Sequence, residues 1–147
     1  MGLGWMYSCR KCGRQYSAFP GSGMCGGEAL EKLRSDILAG KYGAEHAAYL
    51  AAHPGAQCFA EKYLYTCPDC GYWDVEPDPS LYEEEEPLEV RFDVRDGYRV
   101  VRPWVHTCPR CGKALTRKSE YDLPRVMRLP CPDCGTENAN WSGGIWD

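Results

Sequence analysis

The sequence predicts a small α+β protein, in which two ribbons of short antiparallel strands each close around a metal ion and helices are inserted in the first ribbon. Three observations lead to this fold class. The chain has 147 residues, which is enough for one domain or two small lobes. Eight of its 10 cysteines form four Cys-x-x-Cys pairs. Residues near the pairs have strand character, and residues 28–52 have helical periodicity.

Each cysteine pair has the sequence of a metal-binding knuckle, a tight turn that points two thiolates at one ion. A glycine follows every pair and permits the positive φ that such a turn requires. The pairs are Cys9/Cys12, Cys67/Cys70, Cys108/Cys111 and Cys131/Cys134. Disulfides would need an oxidising compartment, and the sequence begins with no signal peptide. We therefore expect two four-thiolate metal sites.

Four pairs can combine into two sites in three ways, which differ in the loops that must close. Pairing of neighbours leaves gaps of 54 and 19 residues. The nested scheme joins the first pair with the fourth and the second with the third, and the interleaved scheme joins the first with the third and the second with the fourth. Pairing of neighbours costs roughly 1.3 to 1.5 kcal/mol less in loop-closure free energy than either of these schemes. The sequence therefore predicts one site formed by Cys9, Cys12, Cys67 and Cys70, and a second formed by Cys108, Cys111, Cys131 and Cys134.

The knuckles resemble those of a known class of protein. The stretch from Tyr7 to Tyr16 resembles the first knuckle of rubredoxins, and Cys67-Pro-Asp-Cys70-Gly71 and its two later copies resemble the second. The same knuckles occur in zinc ribbons and other rubredoxin-like zinc domains. The resemblance covers only the knuckles and implies a type of metal site. Rubredoxins use one iron site in a much shorter chain, whereas this chain offers two sites. Ligand type and spacing favour zinc, two ions per chain, with iron as the alternative, since tetrahedral sulfur suits both ions.

The elements follow in order along a predicted N-terminal domain of residues 1–75. A strand leads into the first knuckle, and a second strand leaves it. Apolar residues at helical spacing predict a helix over Glu28–Ala39, which ends at Gly40, and a second helix over Ala44–Ala52. Strands then flank the second knuckle.

The remaining residues are predicted to form a linker and a second ribbon. Residues 76–87 are rich in proline and acid and are expected to be a solvated linker. Residues 88–147 are expected to form a hairpin and the second ribbon. In that hairpin, a three-residue loop at 95–97 would set Val94 opposite Tyr98, Phe92 opposite Val100 and Asp93 opposite Arg99.

The composition favours an interaction module over an enzyme or a membrane protein. No apolar run approaches the roughly 20 residues that a membrane span needs, and we expect a cytoplasmic protein. A zinc ion with four thiolates has no open coordination position, and no catalytic residues are predicted. Basic residues near the third knuckle could bind nucleic acid or a protein partner: Arg110, Lys113, Arg117 and Lys118. The acidic chain, with a net charge of −4, favours a protein partner. A rubredoxin-like iron electron carrier is the alternative function.

Overall fold

The computed structural model describes residues 2–21, 26–90, 93–118, 129–137 and 139–146. It confirms a small α+β fold with antiparallel strand pairing. In chain order the elements are β1 (Gly2–Cys9), β2 (Gln15–Ala18), α1 (Gly26–Leu38), α2 (Ala44–Ala52), β3 (Gln57–Thr66), β4 (Trp73–Glu84), β5 (Tyr98–Arg102), β6 (Thr116–Arg117) and β7 (Ala139–Trp146). Neither described helix is long and apolar enough to cross a membrane.

The chain divides into two compact units that differ from the predicted domains. Unit 1 contains Met1–Met24, Glu61–Glu76 and Val105–Asp147, and unit 2 contains Cys25–Ala60 and Pro77–Trp104. The predicted division into 1–75, 76–87 and 88–147 therefore differs from the structure, because each unit is assembled from segments far apart in sequence. All eight knuckle cysteines belong to unit 1.

Unit 2 is built on the two predicted helices. α1 buries Leu33 and Ile37, which lie one turn apart on the same face. Gly40, at φ 83°, follows the end of α1, and α2 has the predicted bounds. These helices pack with β3 and β4 residues into one apolar core of Leu33, Ile37, Tyr42, Leu50, Ala56, Cys58 and Leu81.

The prediction of a solvated linker at 76–87 is wrong. Residues up to Glu84 belong to β4, and 78–82 are buried. The acid Asp78 is satisfied internally, since its carboxylate accepts hydrogen bonds from the Ser80 N–H at 3.0 Å and the Tyr82 hydroxyl at 3.1 Å. Hydrogen bonding of this kind allows an acidic side chain to be buried in a strand.

The predicted hairpin within 88–105 is also wrong, because β5 pairs with β4. The register sets Glu83 opposite Arg99 and Glu84 opposite Tyr98. Arg99 is therefore next to Glu83, 3.5 Å away, and not opposite Asp93. Gly97 has the expected positive φ, 79°. The predicted partner Phe92 lies outside the described residues.

Unit 1 contains two similar strand arrangements. In the first, β1 pairs with β2 on one side and with β7 on the other, giving the order β2-β1-β7. In the second, β6 pairs with β3 through Tyr65–Arg117 and Thr66–Thr116, and β4 lies on the other side of β3. In both arrangements a central strand enters a knuckle and its neighbour leaves that knuckle.

Candidate metal centres

The eight predicted cysteines form two groups, but the predicted pairing is wrong. The terminal cluster consists of Cys9, Cys12, Cys131 and Cys134, and the inner cluster consists of Cys67, Cys70, Cys108 and Cys111. The first knuckle thus meets the fourth, and the second meets the third. Within each cluster all four sulfur atoms lie within 4.8 Å of one another, so each cluster could hold a metal ion.

All four knuckles have the same backbone conformation. The N–H of the first cysteine donates to a carbonyl five residues later, as in Cys9 to Arg14 at 2.8 Å and Cys131 to Thr136 at 2.8 Å. The N–H of the glycine after each pair donates to the backbone carbonyl of the first cysteine. The glycines take φ values between 68° and 75°, as the sequence predicted: Gly13, Gly71, Gly112 and Gly135. This conformation turns both thiols of a knuckle to one side.

Strand pairing brings the separate knuckles together. β7 starts just after the fourth knuckle and pairs with β1 along its whole length, from Cys9–Ala139 to Gly2–Trp146. The fourth knuckle is thereby placed beside the first. β6 follows the third knuckle and pairs with the end of β3, next to Cys67. Each cluster therefore forms where an antiparallel strand pair meets two knuckles.

The sulfur separations are close to those of a four-coordinate metal site and far from those of a disulfide. In each cluster the first cysteine of one knuckle lies next to the second of the other: Cys9–Cys134 and Cys12–Cys131 at 3.6 Å, Cys67–Cys111 at 3.5 Å and Cys70–Cys108 at 3.4 Å. A tetrahedral ion with metal–sulfur bonds of about 2.3 Å requires sulfur separations of about 3.8 Å. A disulfide requires about 2.05 Å, and all nine described cysteines are free.

The hydrogen bonds of the knuckles act on the thiol pKa values. The pKa of Cys9 is lowered to about 6, chiefly because the backbone N–H of Cys12 donates to its sulfur. The N–H of Cys70 likewise lowers the pKa of Cys67 to about 7. The N–H of Arg14 lowers the pKa of Cys12, but burial and the neighbouring sulfurs outweigh it, and the pKa rises to about 12. All four sulfurs of a cluster can therefore be thiolates at neutral pH only if a cation neutralises their charge.

Ion pairs join the two knuckles of each cluster. Arg14, in the first knuckle, pairs with Asp133 in the fourth. Lys113, in the third knuckle, pairs with Asp69 in the second. Each cluster thus combines a knuckle that carries a base after its glycine with a knuckle of sequence Cys-Pro-Asp-Cys.

The terminal cluster rests on an aromatic core. Cys9 and Cys131 are buried there with Trp5, Tyr7 and Tyr16. The rings of Tyr7 and Tyr16 stack at 4.8 Å, and the Tyr16 hydroxyl donates to the carbonyl of Leu129 at 3.0 Å. Burial and the nearby cysteine sulfurs raise the pKa of Tyr16 to about 12, so its hydroxyl stays protonated. Sequence reasoning missed this role of Tyr16, although its place directly after the first knuckle was visible.

The basic residues predicted as a partner surface make contacts within unit 1. Arg110 donates from Nη2 to the carbonyl of Pro132 at 2.8 Å. Lys113 forms the ion pair described above. The Arg117 guanidinium lies 4.7 Å from the centre of the Tyr63 ring. The backbone N–H of Lys118 donates to the carbonyl of Leu64. A role in nucleic-acid or partner binding stays a prediction for all four.

Comparison with known proteins gives no match: no protein-family model, curated protein or solved structure is significantly similar to this chain.

Proposed function

We propose that this protein binds two structural zinc ions, one in each cysteine cluster, and acts as an interaction module in the cytoplasm. The observation that carries the proposal is that each cluster consists of four cysteine sulfurs, with no histidine or carboxylate joining them among the residues that the structure describes. Zinc with four thiolates is coordinatively closed, so it has no position for water or substrate and stabilises the fold. The strand and knuckle arrangement of unit 1 is what we would expect of two zinc ribbons with rubredoxin-like knuckles.

Zinc would supply stability that the apolar core of unit 1 does not. Each structural zinc ion contributes on the order of 10 kcal/mol of apparent folding free energy. The described buried core of unit 1 contains few aliphatic side chains, namely Leu64 and Leu129 with Ala18. We therefore expect a chelator to unfold unit 1.

A metal count decides between zinc and the alternative of a rubredoxin-like iron carrier. Protein produced without excess iron or zinc should be colourless and contain two zinc ions per chain by inductively coupled plasma mass spectrometry. Red protein that contains iron would support the electron carrier. Protein that contains neither metal would contradict the assignment of both clusters.

A protein partner is favoured over nucleic acid by the distribution of charge. Unit 2 contains seven bases and twelve acids, a net charge of −5, and unit 1 contains ten bases and nine acids. Two zinc ions with eight thiolates would add −4 to unit 1. Three of the four predicted binding residues also have side-chain partners within unit 1: Arg110, Lys113 and Arg117. Polyanion binding needs a surplus of available cations.

A gel-shift assay tests the partner class. We expect the zinc-loaded protein to show no retardation of single-stranded DNA or RNA at about 0.15 M salt, where the Debye length is about 8 Å. Retardation that is abolished by Arg117→Glu with Lys118→Glu would support a nucleic-acid partner instead.

A further inference from the structure

An arginine in the inner cluster forms a hydrogen bond with the backbone of the terminal cluster. Arg110 lies between the two cysteines of the third knuckle, which belongs to the inner cluster. Its guanidinium donates a hydrogen bond of 2.8 Å to the carbonyl of Pro132, which lies between the two cysteines of the fourth knuckle. The same guanidinium lies 5.4 Å from the centre of the Tyr72 ring, just after the second knuckle. Arg110 therefore touches both knuckles of the inner cluster and one of the terminal cluster.

A second contact runs in the same direction. Trp73 follows the second knuckle, and its indole Nε1 donates to the carbonyl of Pro130 at 2.8 Å. Pro130 immediately precedes the fourth knuckle. The carbonyls on both sides of Cys131 thus accept hydrogen bonds from side chains that the inner cluster positions.

The clusters also share a cavity. A cavity of about 260 Å³ is lined by Cys70 of the inner cluster and Cys131 of the terminal cluster, together with Trp73 and Arg110. One ligand from each centre therefore borders the same small space, so a movement of either knuckle changes the surroundings of the other. Chains of packed side chains and hydrogen bonds of this kind can carry energetic coupling between two sites.

We propose that the two metal centres are coupled, and that Arg110 and Trp73 are the residues that couple them. The inference rests on the proposed zinc binding. An ion in the inner cluster fixes the second and third knuckles, and with them the two donors. The fourth knuckle is then held through Pro130 and Pro132 in the conformation that binds metal. Coupling is reciprocal, so an ion in the terminal cluster helps the inner cluster equally.

Native mass spectrometry of the metal-free chain titrated with Zn²⁺ tests the coupling. The spectrum gives the populations with no, one and two zinc ions. Coupling is measured by a ratio: the product of the metal-free and two-zinc populations, divided by the square of the one-zinc population. The Arg110 hydrogen bond is exposed, and a bond of ordinary net strength should couple the sites by about 3- to 10-fold. Arg110→Ala should lower this ratio by that factor. Trp73→Phe keeps an aromatic side chain but removes the indole N–H, and should lower the ratio as well.

Two controls separate coupling from a general loss of affinity. Lys62→Ala removes an exposed base of unit 1 outside the knuckles and should leave the ratio unchanged. In a chain without the terminal cluster, made by changing its four cysteines to serine, Arg110→Ala should lower the zinc affinity of the inner cluster by less than it does in the chain with both clusters.

The outcomes are distinct. A ratio unchanged in both Arg110→Ala and Trp73→Phe, or an equal loss of inner-cluster affinity with and without the terminal cluster, would overturn the coupling. A wild-type chain that takes up no zinc would contradict the proposed function itself.

Discussion

Trp5 and Gly143 face each other across β1 and β7, and the glycine makes room for the indole ring. Trp5 is 5% exposed and forms part of the aromatic core beside the terminal cluster. A Cβ atom at position 143 would lie 3.1 Å from Cδ1 of Trp5, closer than ordinary van der Waals contact. Packing against Trp5 therefore favours glycine at this position.

The first prediction concerns this contact. Gly143→Ala should lower the free energy of unfolding by about 1 kcal/mol, because the buried ring must shift. The measurement is chemical denaturation of the zinc-loaded protein. Gly144→Ala is the matched control, since no atom beyond its chain neighbours lies within 4 Å of its Cβ position, and it should change stability by less than about 0.5 kcal/mol. Equal effects of the two substitutions would contradict the packing role of Gly143.

His46 is a buried base in unit 2. It is 8% exposed, and its ring meets Trp104 edge to face at 5.3 Å. Burial, and then the positive charge of Arg102, lower its pKa below the ordinary 6.5, while a backbone hydrogen bond with Arg102 and the charge of Glu45 act in the opposite direction. The folded protein therefore binds this proton less readily than the unfolded chain does.

The second prediction follows from this difference. A base with a lowered pKa in the folded state contributes a loss of stability that begins as pH falls through about 6.5 and is complete below the folded pKa. The imidazole resonances of His46 should titrate below pH 6.5 in the folded protein by NMR, and near the ordinary value in denaturant. A folded pKa at or above 6.5 would contradict the dominance of burial over the interactions that raise the pKa of His46.

At the scale of elements, the sequence predicted best what short-range patterns determine. The bounds of α2, the glycine after α1 and the positive φ of Gly97 all depend on a few neighbouring residues. β4 was missed because its prolines and acids are typical of a linker. Pro77 and Pro79 precede the stretch that pairs with β5, where a missing N–H costs no hydrogen bond to that strand. The burial of Asp78 depends on Tyr82, which local composition does not reveal.

The third prediction tests β4 as a core strand. Leu81 is fully buried among residues of α1 and α2. Leu81→Ala should therefore cost about 2 to 4 kcal/mol of unfolding free energy. Leu88, which is 38% exposed, offers the same substitution outside the core. Leu88→Ala should cost about 1 kcal/mol or less, and both values can be measured by denaturant unfolding. If Leu81→Ala lowered the unfolding free energy as little as Leu88→Ala does, the result would support a solvated linker in place of a core strand.

At the scale of the whole molecule, the four knuckles were found from sequence but their pairing was not. Loop-closure entropy favours neighbours by only about 1.3 kcal/mol. Pairing of β1 with β7 favours the nested scheme instead, because it adds eight paired positions. Each cross-strand pair contributes roughly 0.2 to 1 kcal/mol. The free energy gained by pairing β1 with β7 therefore exceeds the additional loop-closure cost of the nested scheme. The sequence feature that points to this pairing is Gly143, which leaves room for the ring of Trp5 on the opposite strand.

The charges of the knuckles carry a further signal about pairing. The first and third knuckles have a base after the glycine, and the second and fourth contain aspartate. The ion pairs Arg14–Asp133 and Lys113–Asp69 show that each cluster joins one knuckle of each kind. This rule excludes the interleaved scheme. It permits both the neighbour and nested schemes, so only the strand partners decide between them.

The fourth prediction distinguishes the nested clusters from neighbour pairing by metal content. A chain with Cys9, Cys12, Cys131 and Cys134 changed to serine keeps the inner cluster intact and should bind one zinc ion. A second chain, with Cys9, Cys12, Cys67 and Cys70 changed, has lost two ligands from each cluster and should bind none tightly, because a four-coordinate site needs its full ligand set. Neighbour pairing requires the reverse: no tight zinc in the first chain and one ion in the second. Zinc counted by mass spectrometry after exchange into dilute chelator separates the two arrangements, and Co²⁺ absorption shows whether the retained site has four sulfur ligands.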